Sequence, residues 1–156
     1  MKGSHDKARQ YALKLLSYRG RSVKELQDRL RGKGIPESAV SSTIRYLRDI
    51  GLADDRSLAE SLKREAQGRK MLSRNGTRKY LLSRGIPRDI VDSVFSNDEN
   101  ADMENAGRFV DKKMKSLGGC PVAVAKRRLY GLLSRRGYSS ETILKVLKGK
   151  YSTKEV

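Results

Sequence analysis

The sequence predicts an all-α protein built from three tandem three-helix modules. A helix end closed by glycine recurs three times at nearly constant spacing, and the period is typical of stacked helical units. Between these turns, apolar residues recur at intervals of three and four, as they do on one face of a helix. No stretch reads as a strand candidate, so none is predicted.

The repeated turn spans residues 30–36, and it returns 51 residues later and again 52 residues after that. In each copy a glycine follows the helix, where the backbone turns left-handed and only glycine does so without steric cost. The apolar residue after the glycine is expected to fold back onto a leucine of the last turn, as in a Schellman motif. The predicted turn residues are Gly34, Gly85, Gly137, Leu30, Leu81, Leu133, Ile35, Ile86 and Tyr138.

The first module is predicted to span residues 6–53, and residues 1–5 are set aside as a possible expression remnant. Its first helix should run from about Asp6 to Arg19 along an apolar stripe. Ser22 and Glu25 have the spacing of a capping box at the start of the second helix, which should reach Lys33. The third helix should begin with proline as its first residue, at 36, and end near residue 49.

The second module is predicted to span residues 54–97. Asp54 or Asp55 should cap its first helix, which should end near residue 69. The middle helix, 73–84, is the least well supported, because Gly76 costs about 1 kcal/mol relative to Ala inside a helix. Thr77 also occupies a position where the other modules have leucine. The last helix should run over 87–95, again opening on proline.

The third module is predicted to span residues 98–150, with helices over 98–117, 121–136 and 140–148. The first of these helices should turn Met103, Ala106, Val110 and Met114 toward the core, since they share one helical face. Pro121 should open the second helix after two glycines, and Ser139 can cap the third.

Charge is the strongest compositional signal. The formal net charge is +17, from 35 Lys and Arg against 18 Asp and Glu, and every predicted module is basic. Repulsion among like charges opposes compaction, and a polyanionic partner would offset it. A nucleic acid or an acidic protein surface is therefore favoured over charge that serves solubility alone. Cys120 has no partner for a disulfide, and no membrane span or signal peptide is visible, so a reducing, cytoplasmic location is expected.

Known catalytic and metal-binding patterns are missing from the sequence. It has neither a phosphate-binding G-x-x-x-x-G-K-[S/T] loop nor H-E-x-x-H nor a Cys/His cluster. Its one histidine, His5, lies in the segment set aside, and the acidic residues are better explained as helix caps and helix surface. The protein is therefore predicted not to be an enzyme and to need no cofactor or metal ion.

Basic residues at helical spacing are the candidate contacts for a partner. Arg74 and Arg78 lie four apart and Arg128 and Arg135 seven apart, so each pair shares a face. The alternative is a solvated surface whose long stems cover apolar residues. The predicted contact residues are Arg74, Arg78, Lys79, Lys126, Arg127, Arg128, Arg135, Arg29 and Arg31.

The threefold turn, together with the junction Leu52-Ala53-Asp54-Asp55-Arg56-Ser57-Leu58-Ala59, resembles the bacterial RecX family of recombination regulators. The resemblance extends from Ala8 to Leu147. It implies an elongated, curved helical array that binds the RecA–DNA filament and dampens its ATPase, strand-exchange and co-protease activities. The implied partner is therefore RecA in its filament on DNA. Single- and double-stranded DNA are expected partners from the charge as well, and the chain is expected to be a monomer. From charge and architecture alone, a helical-repeat protein that binds DNA nonspecifically stays open as the alternative.

Overall fold

The computed structural model describes residues 2–95 and 101–152 of the chain. Within these ranges every regular element is an α-helix, which confirms the all-α prediction. The helices are α1 (Lys2–Tyr18), α2 (Val23–Gly32), α3 (Glu37–Asp49), α4 (Asp55–Gly68), α5 (Arg74–Ser83), α6 (Arg88–Phe95), α7 (Asp102–Met114), α8 (Val122–Arg135) and α9 (Ser140–Ser152).

The chain forms two compact units. One comprises Met1–Leu62 and Leu81–Ser96, and the other comprises Lys63–Tyr80 and Asn97–Val156. In the first unit α1 packs on α2 and α3, and in the second α9 packs on α7 and α8. Helices α4 and α5 each give residues to both units. The division into three modules stays a prediction.

Each unit has an apolar core drawn from the inward faces of its helices. In the first unit the fully buried core side chains include Leu26, Leu30, Val40 and Leu47. In the second they include Phe109, Val110, Leu129, Leu133 and Ile143.

The repeated glycine turns have the geometry of Schellman motifs. Gly34, Gly85 and Gly137 have φ values of 78°, 82° and 93°. In each turn the residue after the glycine donates its amide to the carbonyl of the repeated leucine: Ile35 to Leu30 at 3.2 Å, Ile86 to Leu81 at 3.2 Å and Tyr138 to Leu133 at 3.3 Å. A further turn of this kind, not predicted, ends α3, where Gly51 has a φ of 78° and Leu52 donates to Leu47 at 2.8 Å.

In the first unit, the second glycine turn packs against the start of α2, and we call this contact the first junction. The Ser22 Oγ accepts the Glu25 amide at 3.1 Å, and the Glu25 carboxylate accepts the Ser22 amide at 3.0 Å, which is the predicted capping box. A β-carbon added at Gly85 would lie 2.8 Å from that same Oγ. Arg84 donates to Glu25 at 3.2 Å, and Asp55 accepts the amide of Val23, the first residue of α2, at 2.9 Å.

In the second unit, the third glycine turn packs against the start of α5 in the same way, forming the second junction. The Ser73 Oγ accepts the Gly76 amide at 2.9 Å and would lie 2.6 Å from a β-carbon at Gly137. Asp102 accepts the amide of Arg74, the first residue of α5, at 2.8 Å. The Ser73 amide donates to the Arg136 carbonyl at 3.0 Å. In the first junction the equivalent amide, that of Ser22, donates to the Glu25 carboxylate instead.

The second junction explains Gly76, which sequence reasoning treats only as a helix-weakening residue. Gly76 stands at the position of Glu25, three residues after the capping serine. A β-carbon there would lie 2.4 Å from the Arg136 carbonyl oxygen, so only glycine leaves room for this acceptor. Thr77, which is fully buried, satisfies its hydroxyl by donating to the Ser73 carbonyl at 2.8 Å.

Several predicted boundaries differ from the structure. Helix α1 begins at Lys2, so residues 2–5 are its first turn, and α9 continues to Ser152. The predicted start of α7 falls in residues 96–100, outside the described residues. Pro36 and Pro121 are N-caps and not the first helical residues that were predicted. Their ψ values of 149° and 145° are extended, and each proline joins the helix only through its carbonyl, which accepts an amide of the first turn.

The prediction that Met103 faces the core is wrong, because this side chain is 46% exposed. Asn105 and Phe109 are buried on α7 together with Ala106 and Val110. These four residues define the buried face of α7. Met103 lies to one side of this face and is therefore exposed to solvent.

Replacing Gly76 by Ala should lower the free energy of unfolding by about 1–3 kcal/mol, because the added methyl group overpacks the second junction. The intrinsic preference of a helix for Ala predicts the opposite sign. Chemical denaturation followed by circular dichroism measures the change. Gly32→Ala is the matched control, since a β-carbon there meets nothing within 4 Å, and it should be neutral or stabilising. Equal stability of the two variants would contradict the close approach of Arg136.

Acid should weaken the first junction through Glu25. Burial by itself raises the pKa of this carboxyl group, but hydrogen bonds from the Ser22 amide and from Arg84 outweigh it and hold the pKa below its ordinary value of 4.5. A depressed carboxyl pKa contributes stability above the unfolded value, and this contribution is lost as the pH falls through the folded value. Wild type should therefore lose more stability below pH 4.5 than Glu25→Gln does. If the free energy of unfolding fell by the same amount with pH in the two proteins, this role of Glu25 would be ruled out.

Candidate partner-binding surface

Helix α8 has four cations and no carboxylate between Val122 and Arg135. Its buried stripe consists of Ala125, Leu129 and Leu133. The side chains of Arg127, Arg128 and Arg135 are exposed, and that of Lys126 is half-buried. This arrangement follows from the amphipathic pattern, since the leucines occupy the core face and leave the cations on the others.

The α8 cations form no ion pair with any residue in 2–95 or 101–152. The Nζ of Lys126 lies 5.5 Å from the centre of the Tyr151 ring, and Arg128 Nη1 lies 3.7 Å from the Cys120 Sγ. Neither contact neutralises charge. The helix therefore presents uncompensated positive charge to solvent, which is what a phosphate backbone or an acidic surface binds.

The predicted contacts on α5 differ from one another in exposure. Lys79 is exposed, whereas Arg74 and Arg78 are half-buried. The Arg74 amide belongs to the second junction through its hydrogen bond to Asp102. This residue therefore contributes to the fold as well as to the basic surface.

In the first unit, the predicted contacts Arg29 and Arg31 are both exposed on α2. Arg31 binds Glu37 through two hydrogen bonds, at 3.0 Å and 2.6 Å. The guanidinium holds the pKa of the Glu37 carboxyl below its ordinary value through these bonds. An exposed pair of this kind stabilises the fold little, yet it neutralises the charge of Arg31.

Three basic residues close to the glycine turns serve the fold. The Arg84 side chain is only 12% exposed and binds both Glu25 and the Gly20 carbonyl, the latter at 2.9 Å. The Arg136 guanidinium carbon lies 4.3 Å from the centre of the Phe109 ring. Lys33 lies over the ring of Tyr11 at 5.3 Å. These cations are therefore poor candidates for partner contacts.

Two tyrosines near the third glycine turn, Tyr130 and Tyr138, have rings that could stack on bases, but their environments differ. Tyr138 is buried, and its hydroxyl donates to the Met71 carbonyl at 2.9 Å. Burial, with the Asp102 carboxylate adding to it, raises the pKa of Tyr138 to about 12. It is therefore a core residue, whereas the half-buried ring of Tyr130 lines a groove beside α8.

Sequence reasoning missed Leu144 and Lys148, two exposed residues of α9 that line this groove. The inward stripe of α9 is Ile143, Val146 and Leu147. Leu144 lies off that stripe, one residue before Lys145 and four before Lys148. A large apolar residue outside the buried face and next to cations is the signal that could have identified it.

Within 2–95 and 101–152, no group of three or more His, Cys, Asp or Glu side chains could hold a metal ion. In the same part of the chain, no helix is long and apolar enough to cross a membrane.

Comparison with known families gives matches at both ends of the chain. Residues 8–47 match the model of the first three-helix domain of RecX, and residues 100–147 match that of its third three-helix domain. A regulatory protein RecX from Mycobacterium sp. (strain KMS) is 32% identical over 91% of this chain and 80% of its own length. One from Chlorobaculum tepidum is 29% identical over 94% of this chain and 89% of its own.

Solved structures show the same fold. The crystal structure of RecX from Lactobacillus salivarius superposes with a TM-score of 0.75 at 23% identity, covering 96% of this chain and 97% of the other. A second crystal structure of a regulatory protein RecX superposes with a TM-score of 0.73 at 22% identity, covering 92% and 72%.

Proposed function

Because the chain belongs to the RecX family of regulatory proteins, we propose that it binds the RecA–DNA nucleoprotein filament and dampens its activities. The activities are ATP hydrolysis, strand exchange and the co-protease function. The protein acts by binding and not by catalysis, as a monomer in the cytoplasm where RecA works. Its partners are RecA together with single- and double-stranded DNA.

The observation that carries this proposal is the uncompensated charge of α8. The 14 residues of this helix are about 21 Å long and bear four cations, none in an ion pair with a described residue. A filament that winds around DNA offers a long and repetitive array of negative charge. Counterion release from phosphates supplies affinity without base contacts, so the chain can act on DNA of any sequence.

Binding alone accounts for dampened activity. A filament hydrolyses ATP and exchanges strands through its subunits, so a ligand that contacts subunits and DNA together restrains many turnovers. The predicted contacts for this role are Lys126, Arg127, Arg128 and Arg135 on α8, with Lys79, Arg74 and Arg78 on α5. Arg29 has the same role on α2, and Arg31 joins it when the partner's anion replaces Glu37.

Nonspecific binding to DNA alone is the second candidate function. The exposed Arg127, Arg128 and Arg135 favour it, since phosphate contacts need only exposed cations. In this case RecA would be affected only through competition for DNA. The two functions differ in the amount of protein needed.

Titration into a RecA ATPase assay on single-stranded DNA separates the two functions. A filament regulator should inhibit hydrolysis at amounts well below those needed to cover the DNA, because each bound molecule acts through filament subunits. The measurement is the hydrolysis rate against the ratio of this protein to RecA at fixed DNA. A polybasic peptide that binds DNA is the control for lattice competition. Inhibition that begins only when free DNA is exhausted would exclude the regulator and leave DNA binding alone.

The triple variant Arg127→Ala, Arg128→Ala, Arg135→Ala tests the α8 surface. Each phosphate contact contributes roughly 0.9 to the slope of log K against log salt on duplex DNA, and about 0.7 on a single strand. The variant should therefore flatten the slope by about 2–3 if all three residues contact DNA. Stability should change little, since the side chains are exposed and Ala favours helix formation.

The matched control is Lys14→Ala, Lys112→Ala, Lys115→Ala, which removes the same charge from other exposed positions and should change the slope less. An unchanged slope with lost ATPase inhibition would assign the α8 arginines to RecA. An unchanged slope with full inhibition would mean that their charge is only solvated surface.

A further inference from the structure

A groove of about 700 Å³ runs between α8 and α9 in the second unit. Three of its lining residues come from α8 and four from α9. They are Lys126, Arg127, Tyr130, Leu144, Leu147, Lys148 and Ser152.

The floor of the groove is apolar. Leu144 is 59% exposed, an unusual position for a large aliphatic side chain on a helix whose other apolar residues are largely buried. Leu147, itself buried in the core, and the half-buried Tyr130 extend the apolar surface beside it. The groove can thus take up an apolar side chain from a partner and remove Leu144 from water.

The walls of the groove are cationic, and among residues 101–152 no carboxylate lines it. Lys126 and Arg127 come from α8, and Lys148 comes from α9. The carboxylate of Glu141, one turn before Leu144, is bound to Lys145 at 2.9 Å. Neither Arg127 nor Lys148 has an ion-pair partner among the described residues. An occupant that matches this groove must therefore be both apolar and acidic.

We propose that the groove between α8 and α9 binds an acidic segment of a partner protein through large apolar side chains that cover Leu144. A nucleic acid would satisfy the cations, but its phosphates would leave the exposed leucine in water. An amphipathic acidic helix satisfies both, with its apolar face in the groove and its carboxylates beside Lys126, Arg127 and Lys148. The inference rests on the proposed function in that this function supplies a protein partner.

The probe is a synthetic, fluorescein-labelled amphipathic helix with leucines at positions i, i+3, i+4 and i+7 and glutamates elsewhere. Fluorescence anisotropy with the full chain measures its binding. Two matched peptides serve as controls, one with lysine in place of every glutamate and one with serine in place of every leucine. Only the acidic peptide with leucines should bind saturably.

Leu144→Ser should weaken binding of the probe by at least about tenfold, and Lys148→Glu should do the same. Leu13→Ser and Lys112→Glu are the matched variants, since both residues are exposed on other helices. They should bind the probe as wild type does. The exposure of Leu144 makes its substitution harmless to folding, and a thermal melt of each variant checks this.

The assay contains neither RecA nor DNA, so its failure is independent of the ATPase result. Equal binding of the three peptides, or equal affinity of Leu144→Ser and wild type, would overturn the proposal. The proposal would also be overturned if a single-stranded oligonucleotide displaced the labelled peptide and the unlabelled peptide did not. Light scattering gives a further test. If wild type were a dimer and Leu144→Ser a monomer, the groove would bind a second copy of the chain, and the proposal would equally be overturned.

Discussion

A left-handed glycine seated against a serine helix cap is the contact on which both compact units depend. The turn and the cap lie more than 60 residues apart in the chain, yet Gly85 meets Ser22 and Gly137 meets Ser73 with the same geometry. In each case a carboxylate from a third helix accepts the first amide of the capped helix. One contact thus closes a helix end, satisfies a helix start and leaves no space for a β-carbon.

This arrangement divides the basic residues into two groups with different roles. Arg84 and Arg136 follow the last turn of a helix directly before the glycine, and their guanidinium groups bind inside the fold. The cations of α8 lie outside its apolar stripe, and none of them forms an ion pair with a described residue. The net charge of +17 is therefore not uniform in function. Part of it builds the junctions, and another part, most clearly the cations of α8, is assigned to partners.

The features that could be predicted from the sequence are those that depend on residues close together in the chain. The glycine turns, the Ser22–Glu25 capping box and the exposed cations of α8 all follow from spacing along one or two helices. The role of Gly76 could not be predicted, because its reason is a carbonyl 60 residues away. The position of Leu144 off the buried face of α9 could have been noticed in the sequence, but its 59% exposure follows only from how α9 packs.

Amide hydrogen exchange tests the central claim, that the junctions hold the starts of α2 and α5. First-turn amides have no partner within their own helix and ordinarily exchange quickly. Because carboxylates accept the amides of Val23 and Arg74, these two should exchange as slowly as amides in the middle of their helices. Glu37 and Val122, the first residues of helices without a side-chain cap, should exchange quickly. Equally fast exchange at all four amides would contradict the account.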